Sequence, residues 1–166
     1  MLIPIMSLDA GNMHQAQLAR SLDQLAQPSL TEDERTALAE VARAEDQAMA
    51  AVMERYENDW LTTLSADFSA ALAAAGQQDL QTQEAAALEQ YQAAYANYAS
   101  LRESLLAGEP GQDKLAQGYL KEMQASFESL VQINRQFADL SNETAQAALA
   151  KMRMLMIFFG TLLSLA

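Results

Sequence analysis

The chain has 166 residues, 51% of them apolar and only 7% aromatic, with three prolines, six glycines and a net charge of −12. That length carries one domain with its own core, and a composition rich in Ala, Leu, Gln and Glu favours helix. The acidic balance excludes nucleic-acid binding, and the lack of cysteine excludes disulfides and thiolate metal sites.

Residues 1–8 lack a charged n-region and a full apolar h-region, so no signal peptide is read there. The first helix carries Leu8, Leu18, Leu22 and Leu25 on one face and is ended by Gln27-Pro28-Ser29-Leu30-Thr31, because Pro28 disfavours the α conformation before it. Thr31 and Glu34 have capping-box spacing for the second helix. Leu38, Val41, Met49, Val52, Tyr56, Trp60, Leu64, Phe68 and Leu72 then recur at helical spacing. The next break is Gly76-Gln77-Gln78-Asp79, with Gly76 suited to the position after a helix and Asp79 to an N-cap. The second helix is thus longer than the third, and a kink or break near Asn58-Asp59 would reconcile them. The third helix carries Leu80, Leu88, Tyr91, Tyr95, Tyr98 and Leu105 and ends at Gly108-Glu-Pro-Gly-Gln-Asp113, the clearest loop. The fourth carries Leu115, Tyr119, Met123, Leu130, Ile133, Phe137 and Leu140. Single-sided stripes joined by short loops predict an all-α, antiparallel up-down-up-down four-helix bundle.

The far end differs. Residues 1–150 hold all 22 acidic side chains and eight of the ten basic ones, whereas Lys151 and Arg153 precede Met154–Ala166, 13 residues without a charge. A full span needs about 20 residues, and the run is read as the start of a transmembrane helix in a truncated sequence; the other reading is a short helix packed in the core. The division is then a bundle over residues 1–152 and the beginning of a span over 153–166. From Pro110 to Arg153 a helix measures about 65 Å, whereas the first helix has only about 40 Å before its turn. Part of the first helix is therefore expected to be missing, with Met1 an internal start.

Several segments resemble a known family. Leu2-Ile-Pro-Ile-Met-Ser-Leu8 resembles the Pro-containing start of a first periplasmic helix, and Val52-Met-Glu-Arg-Tyr56 the close of a second-helix pattern. Glu84-Ala-Ala-Ala-Leu-Glu-Gln-Tyr-Gln-Ala-Ala-Tyr95 with Leu101-Arg-Glu-Ser-Leu-Leu-Ala-Gly108 resembles a third helix, and Asn142-Glu-Thr-Ala-Gln-Ala-Ala-Leu-Ala-Lys151 a fourth entering a second span. In this order they look like the four-helix-bundle ligand-binding domain of methyl-accepting chemotaxis proteins, also used by some sensor histidine kinases. The resemblance implies a periplasmic, ligand-sensing, homodimeric domain of an inner-membrane receptor. Its ligand would lie near the membrane-distal end, with basic side chains on the ligand's carboxylates, and the first and fourth helices would form the dimer interface.

Catalysis finds little in the chain: one histidine, no P-loop and no Gly-rich dinucleotide turn. A di-iron bundle needs Glu-x-x-His, but His14 follows Gly11 at that spacing, and zinc lacks ligands. No enzyme activity, cofactor or metal is therefore expected. The basic residues are more informative. Six of the eight in residues 1–150, namely Arg20, Arg35, Arg43, Arg102, Lys114 and Lys121, lie within 15 positions of Pro28 or Pro110, while the acids are spread evenly. In an acidic body such a concentration could hold a small carboxylate; the plainer reading is helix-surface residues paired with nearby acids. By distance from the turns, Arg20, Arg102 and Tyr119 should be level, with Tyr95 and Tyr98 near the same layer. Arg20, Arg102, Tyr95, Tyr98, Tyr119 and Lys121 are the candidate ligand residues, binding an organic acid through cations and hydroxyls; the tyrosines read equally as core. Two other functions remain open on sequence: a tail-anchored helical interaction protein, and a membrane-inserting helical toxin or secretion component.

Overall fold

The computed structural model describes the backbone of residues 2–59, 66–107, 109 and 111–164, and the side chains of residues 4–59, 69–107, 109 and 111–154. Among the described residues it is all-α, with five helices and no strand: α1 (Leu2–Leu25), α2 (Glu32–Asp59), α3 (Ala66–Ala74), α4 (Asp79–Leu106) and α5 (Asp113–Ser164). Between Pro28 and Gly76 the described residues form α2 and α3. The break expected near Asn58-Asp59 borders on residues 60–65, which lie outside the described residues, as does Trp60 of the predicted stripe.

Local chemistry accounts for the ends. Pro4 sits in the first turn of α1, where its missing N–H has no intrahelical partner to lose. At the start of α2 the reciprocal cap forms in full. The Thr31 N–H donates to Glu34 Oε2 at 2.9 Å, and the Glu34 N–H donates to Thr31 Oγ1 at 3.3 Å. These bonds from Thr31 hold the exposed Glu34 carboxyl below its ordinary pKa. Arg35 Nη1 donates to the Leu25 carbonyl at 3.0 Å, so the start of α2 satisfies an orphan acceptor at the end of α1. At the end of α3, Gly76 adopts a φ of +68°. The Gln77 N–H reaches Leu72 O at 2.9 Å and the Gly76 N–H reaches Ala73 O at 3.1 Å, the two bonds of a Schellman motif. Asp79, expected as an N-cap, is instead the first residue of α4; the cap is Gln78, which makes no side-chain cap bond. Asp79 still places negative charge at the positive end of the helix dipole.

α1 lies against both α2 and α5. Along α1 and α2 the facing residues are Gly11 with Val52, His14 with Glu45, and Leu25 with Arg35. Along α1 and α5 they are Gly11 with Phe127, Gln15 with Leu120, and Asp23 with Gln117. α4 packs along α5, where the Tyr91 and Phe127 rings meet edge to face at 5.1 Å. α2 and α4 meet through side chains, Asp46 with Arg102 and Glu57 with Gln92. α3 touches α5.

The core is read most simply as a heptad. Its inward residues are Leu8, Gly11, Gln15, Leu18, Leu22 and Leu25 on α1; Ala39, Ala42, Asp46, Met49, Met53 and Tyr56 on α2; Leu80, Glu84, Ala87, Tyr91, Ala94, Tyr98 and Leu105 on α4; and Ala116, Leu120, Met123, Phe127, Leu130, Asn134 and Phe137 on α5. Steps of three and four alternate, with partly buried Leu101 at the place between Tyr98 and Leu105, the 3.5-residue period of helices crossing at a shallow angle. Each fully buried leucine contributes roughly 1.5–3 kcal/mol by leaving water. Two predicted core residues are corrected. Val41 and Leu115 are 41% and 50% exposed, because the adjacent Ala42 and Ala116 hold the inward positions. Burial on α5 ends at Leu140; from Asn142 to Met154 every residue is exposed while the helix continues to Ser164. Among the described residues no helix is long and apolar enough to cross a membrane. The side chains of the predicted apolar run beyond Met154 lie outside the described residues.

Gly11 lies tight against α5 and α2: a Cβ there would stand 2.5 Å from Phe127 Cε1 and 3.2 Å from Val52 Cγ1, whereas one at Gly118 would meet nothing within 4 Å. Gly11→Ala should therefore destabilise the fold by about 1–3 kcal/mol through overpacking. Gly118→Ala should stabilise it by about 0.5–1 kcal/mol by removing helix-interior glycine. Urea denaturation followed by circular dichroism measures both signs.

Candidate functional site

Each of the four long helices carries an amide or carboxyl side chain on its inward seam: Gln15, Asp46, Glu84 and Asn134, all buried. A polar group taken out of water needs a partner, and these four find theirs in three places.

The first place joins α2, α4 and α5. The Tyr56 hydroxyl donates to Glu84 Oε1 and accepts from Asn134 Nδ2 at 2.7 Å, and Nδ2 is shared with Leu130 O at 2.9 Å. Burial pushes the Glu84 carboxyl above its ordinary range, against the hydrogen bonds from Tyr56 and Asn134 that favour its charged form. Burial likewise raises the Tyr56 phenol, helped by the Glu84 charge, so the tyrosine stays a neutral donor.

The second place joins α2 and α4 nearer the turns. Asp46 is 2% exposed, and its Oδ2 accepts from Arg102 Nη1 at 2.8 Å. Arg102, about one-third exposed, also reaches Glu103 Oε1 at 3.3 Å. Its pKa rises further, first because of the bond to Asp46. Tyrosines lie alongside: Tyr91 stacks on Tyr95 at 5.9 Å and 10°, and Tyr95 and Tyr98 are tilted at 6.2 Å. Burial raises the pKa of all three phenols, and the Asp46 charge adds to this. Asp46 Oδ1 and the hydroxyls of Tyr91 and Tyr98 are buried without a hydrogen-bond partner.

The third place is between α1 and α5. Gln15 Nε2 donates to the Leu120 carbonyl, while its Oε1 and the nearby Asn12 Oδ1 are buried and unpartnered. Both residues line a groove of about 510 Å³.

The six predicted ligand residues therefore do not converge. Arg102, Tyr95 and Tyr98 come together as expected, but the arginine is already engaged by Asp46. Arg20 is exposed, and its Nε donates to Ala16 O of its own helix at 3.1 Å. It borders a shallow depression between α1 and α2 beside His14 and Glu45, which pair at 2.7 Å. Lys121 is exposed on the rim of the α1/α5 groove, and Tyr119 is half-buried against the core. Sequence reasoning missed Asp46, Glu84, Asn134 and Gln15. The signal that could have found them was their place in the heptad.

No protein-family model, curated protein or solved structure shows a significant match to this chain.

Glu84 gives a signed pH test. A carboxyl whose folded pKa is raised binds more protons in the folded than in the unfolded state. Its cost is absent below the unfolded carboxyl pKa, grows as pH rises from there to the folded value, and is constant above. Glu84→Gln keeps an acceptor for Tyr56 and removes the titration. Its stability at pH 7 should equal or exceed that of wild type, and the wild-type decline on raising pH through the upper carboxyl range should shrink, as read from melting temperature against pH.

Proposed function

We propose that the chain is the periplasmic ligand-sensing domain of a bacterial inner-membrane signal transducer. In this reading α1, α2, α4 and α5 form an antiparallel four-helix bundle, and α5 leads toward the membrane. The observation that carries the reading is the single-piece α5. It lines the core as far as Leu140, is exposed from Asn142 to Met154, and continues as one helix to Ser164. No proline or glycine falls between Gly118 and Arg153, so no hinge would absorb a displacement along or about its axis. Lys151 and Arg153 would mark the approach to the membrane.

The ligand in this reading is a small organic acid, and the residues best arranged for it are Arg102, Tyr95 and Tyr98. The acid would have to compete with Asp46 for the guanidinium. Exchange of one carboxylate for the other would release the link between α2 and α4, and α4 packs on α5. Ligand binding would thereby bias the position of the transmitting helix by its different contacts in the two states.

The test is a thermal-shift and calorimetric screen of mono- and dicarboxylic acids on the full chain. Wild type should be stabilised by at least one acid. Asp46→Asn, which leaves Arg102 without its charged competitor, should bind the same acid about tenfold more tightly, as expected for a freed charge-assisted hydrogen bond. If no acid raises the melting temperature of wild type or of Asp46→Asn, the reading is overturned.

A further inference from the structure

We propose that the groove between α1 and α5 is a binding site for a linear aliphatic polyamine, separate from the Arg102 cluster. Gln15 is 4% exposed, and the bond from its Nε2 to Leu120 O fixes which end of the amide is which. Its Oε1 therefore needs a donor that the protein does not supply. Asn12, one helical turn earlier on the same face, leaves Oδ1 in the same condition. Two buried acceptors with no donor, on residues that line one groove, call for N–H groups, and they would repel a carboxylate.

The charges around them agree. Asp23 and Glu128 line the groove, and each is oriented by a glutamine of α5, Asp23 by Gln117 and Glu128 by Gln124, both at 2.9 Å. α1 and α5 run antiparallel, so the two carboxylates lie toward opposite ends of the groove, about 16 Å apart along the axis. The neutral acceptors lie nearer the Glu128 end; past Asn12 a second depression is lined by Asp9 and by the cation Arg135, so the amine is placed between Asn12 and Asp23. Ammonium groups spaced along an aliphatic chain fit this order of acceptors. The methylenes between them would cover the Ala16 and Ala19 surface of α1. The one cation lining this groove, Lys121, is exposed at its rim, so it weakens an amine without blocking it.

A strongly acidic protein attracts any polycation, so the test turns on a substitution that leaves charge unchanged. Spermidine is titrated into the full chain by calorimetry at about 0.15 M salt, where attraction between exposed charges is screened beyond about 8 Å. Wild type should show saturable one-site binding. Gln15→Met, similar in shape and neutral, should weaken it about tenfold or more while helicity is unchanged. Should Gln15→Met fail to fold, Asn12→Ala, at a half-buried position, carries the same expectation. Lys121→Ala should tighten spermidine binding, whereas at an anion site it would weaken binding. Equal affinity in wild type and Gln15→Met would reduce the effect to non-specific attraction and overturn the proposal. So would looser binding in Lys121→Ala, or no binding, in which case trapped water is what satisfies Gln15 and Asn12. The organic-acid titrations with Asp46→Asn rest on other residues, so the two proposals fail separately.

Discussion

The buried contact of Glu84 with Tyr56 and Asn134 is the constraint from which most of the architecture follows. It lies on the seams of α2, α4 and α5 at once, and a carboxyl held out of water is tolerated only while its donors are in place. A heptad core of Leu, Ala, Met and Tyr would accept several registers, because sliding one helix by seven residues exchanges one apolar layer for another. Sliding α4 past α2 by that step would strand Glu84 without a donor and part Asp46 from Arg102. The polar positions therefore specify alignment more than they add stability, in the way a single polar seam residue fixes the register of a coiled coil.

The same residues divide the molecule into two kinds of interface. Where α1 meets α5, approach is close enough that only glycine fits opposite Phe127. Where α2 meets α4, polar side chains span the gap and the contacts are ionic or hydrogen-bonded. Apolar interdigitation resists any change of geometry, because each displaced methyl loses many contacts. An ion pair can exchange one partner for another of like charge. A change imposed by a ligand would thus be met more easily across α2 and α4 than at the Gly11–Phe127 contact of α1 and α5.

Much of this was legible in the residues. Pro28, the Thr31–Glu34 pair, Gly76 and the Gly108–Asp113 loop punctuate the chain by known backbone chemistry, and the helices begin and end beside them. The apolar stripes gave the inward faces except where Val41 and Leu115 sit next to the true inward alanines; size was taken as the guide, and small residues held the closest positions. The candidate site was less legible. Distance from the turns brought Arg102, Tyr95 and Tyr98 together, but it could not foresee that Asp46 would reach the arginine first. In a chain this rich in Gln and Glu, a polar residue on the seam looks like its many exposed neighbours until the 3.5-residue count is followed through it.

The exposed continuation of α5 has a mechanical consequence. Asn142–Lys151 touches no other element closely enough to be buried, and its order rests on four alanines and a leucine, good helix formers, within the ten residues. From Leu140 to Ser164 it measures about 36 Å, so a tilt of about 10° at the base swings the tip by about 6 Å. A lever arm of that length converts a shift too small to disturb the packing around Phe137 into a movement larger than a helical turn.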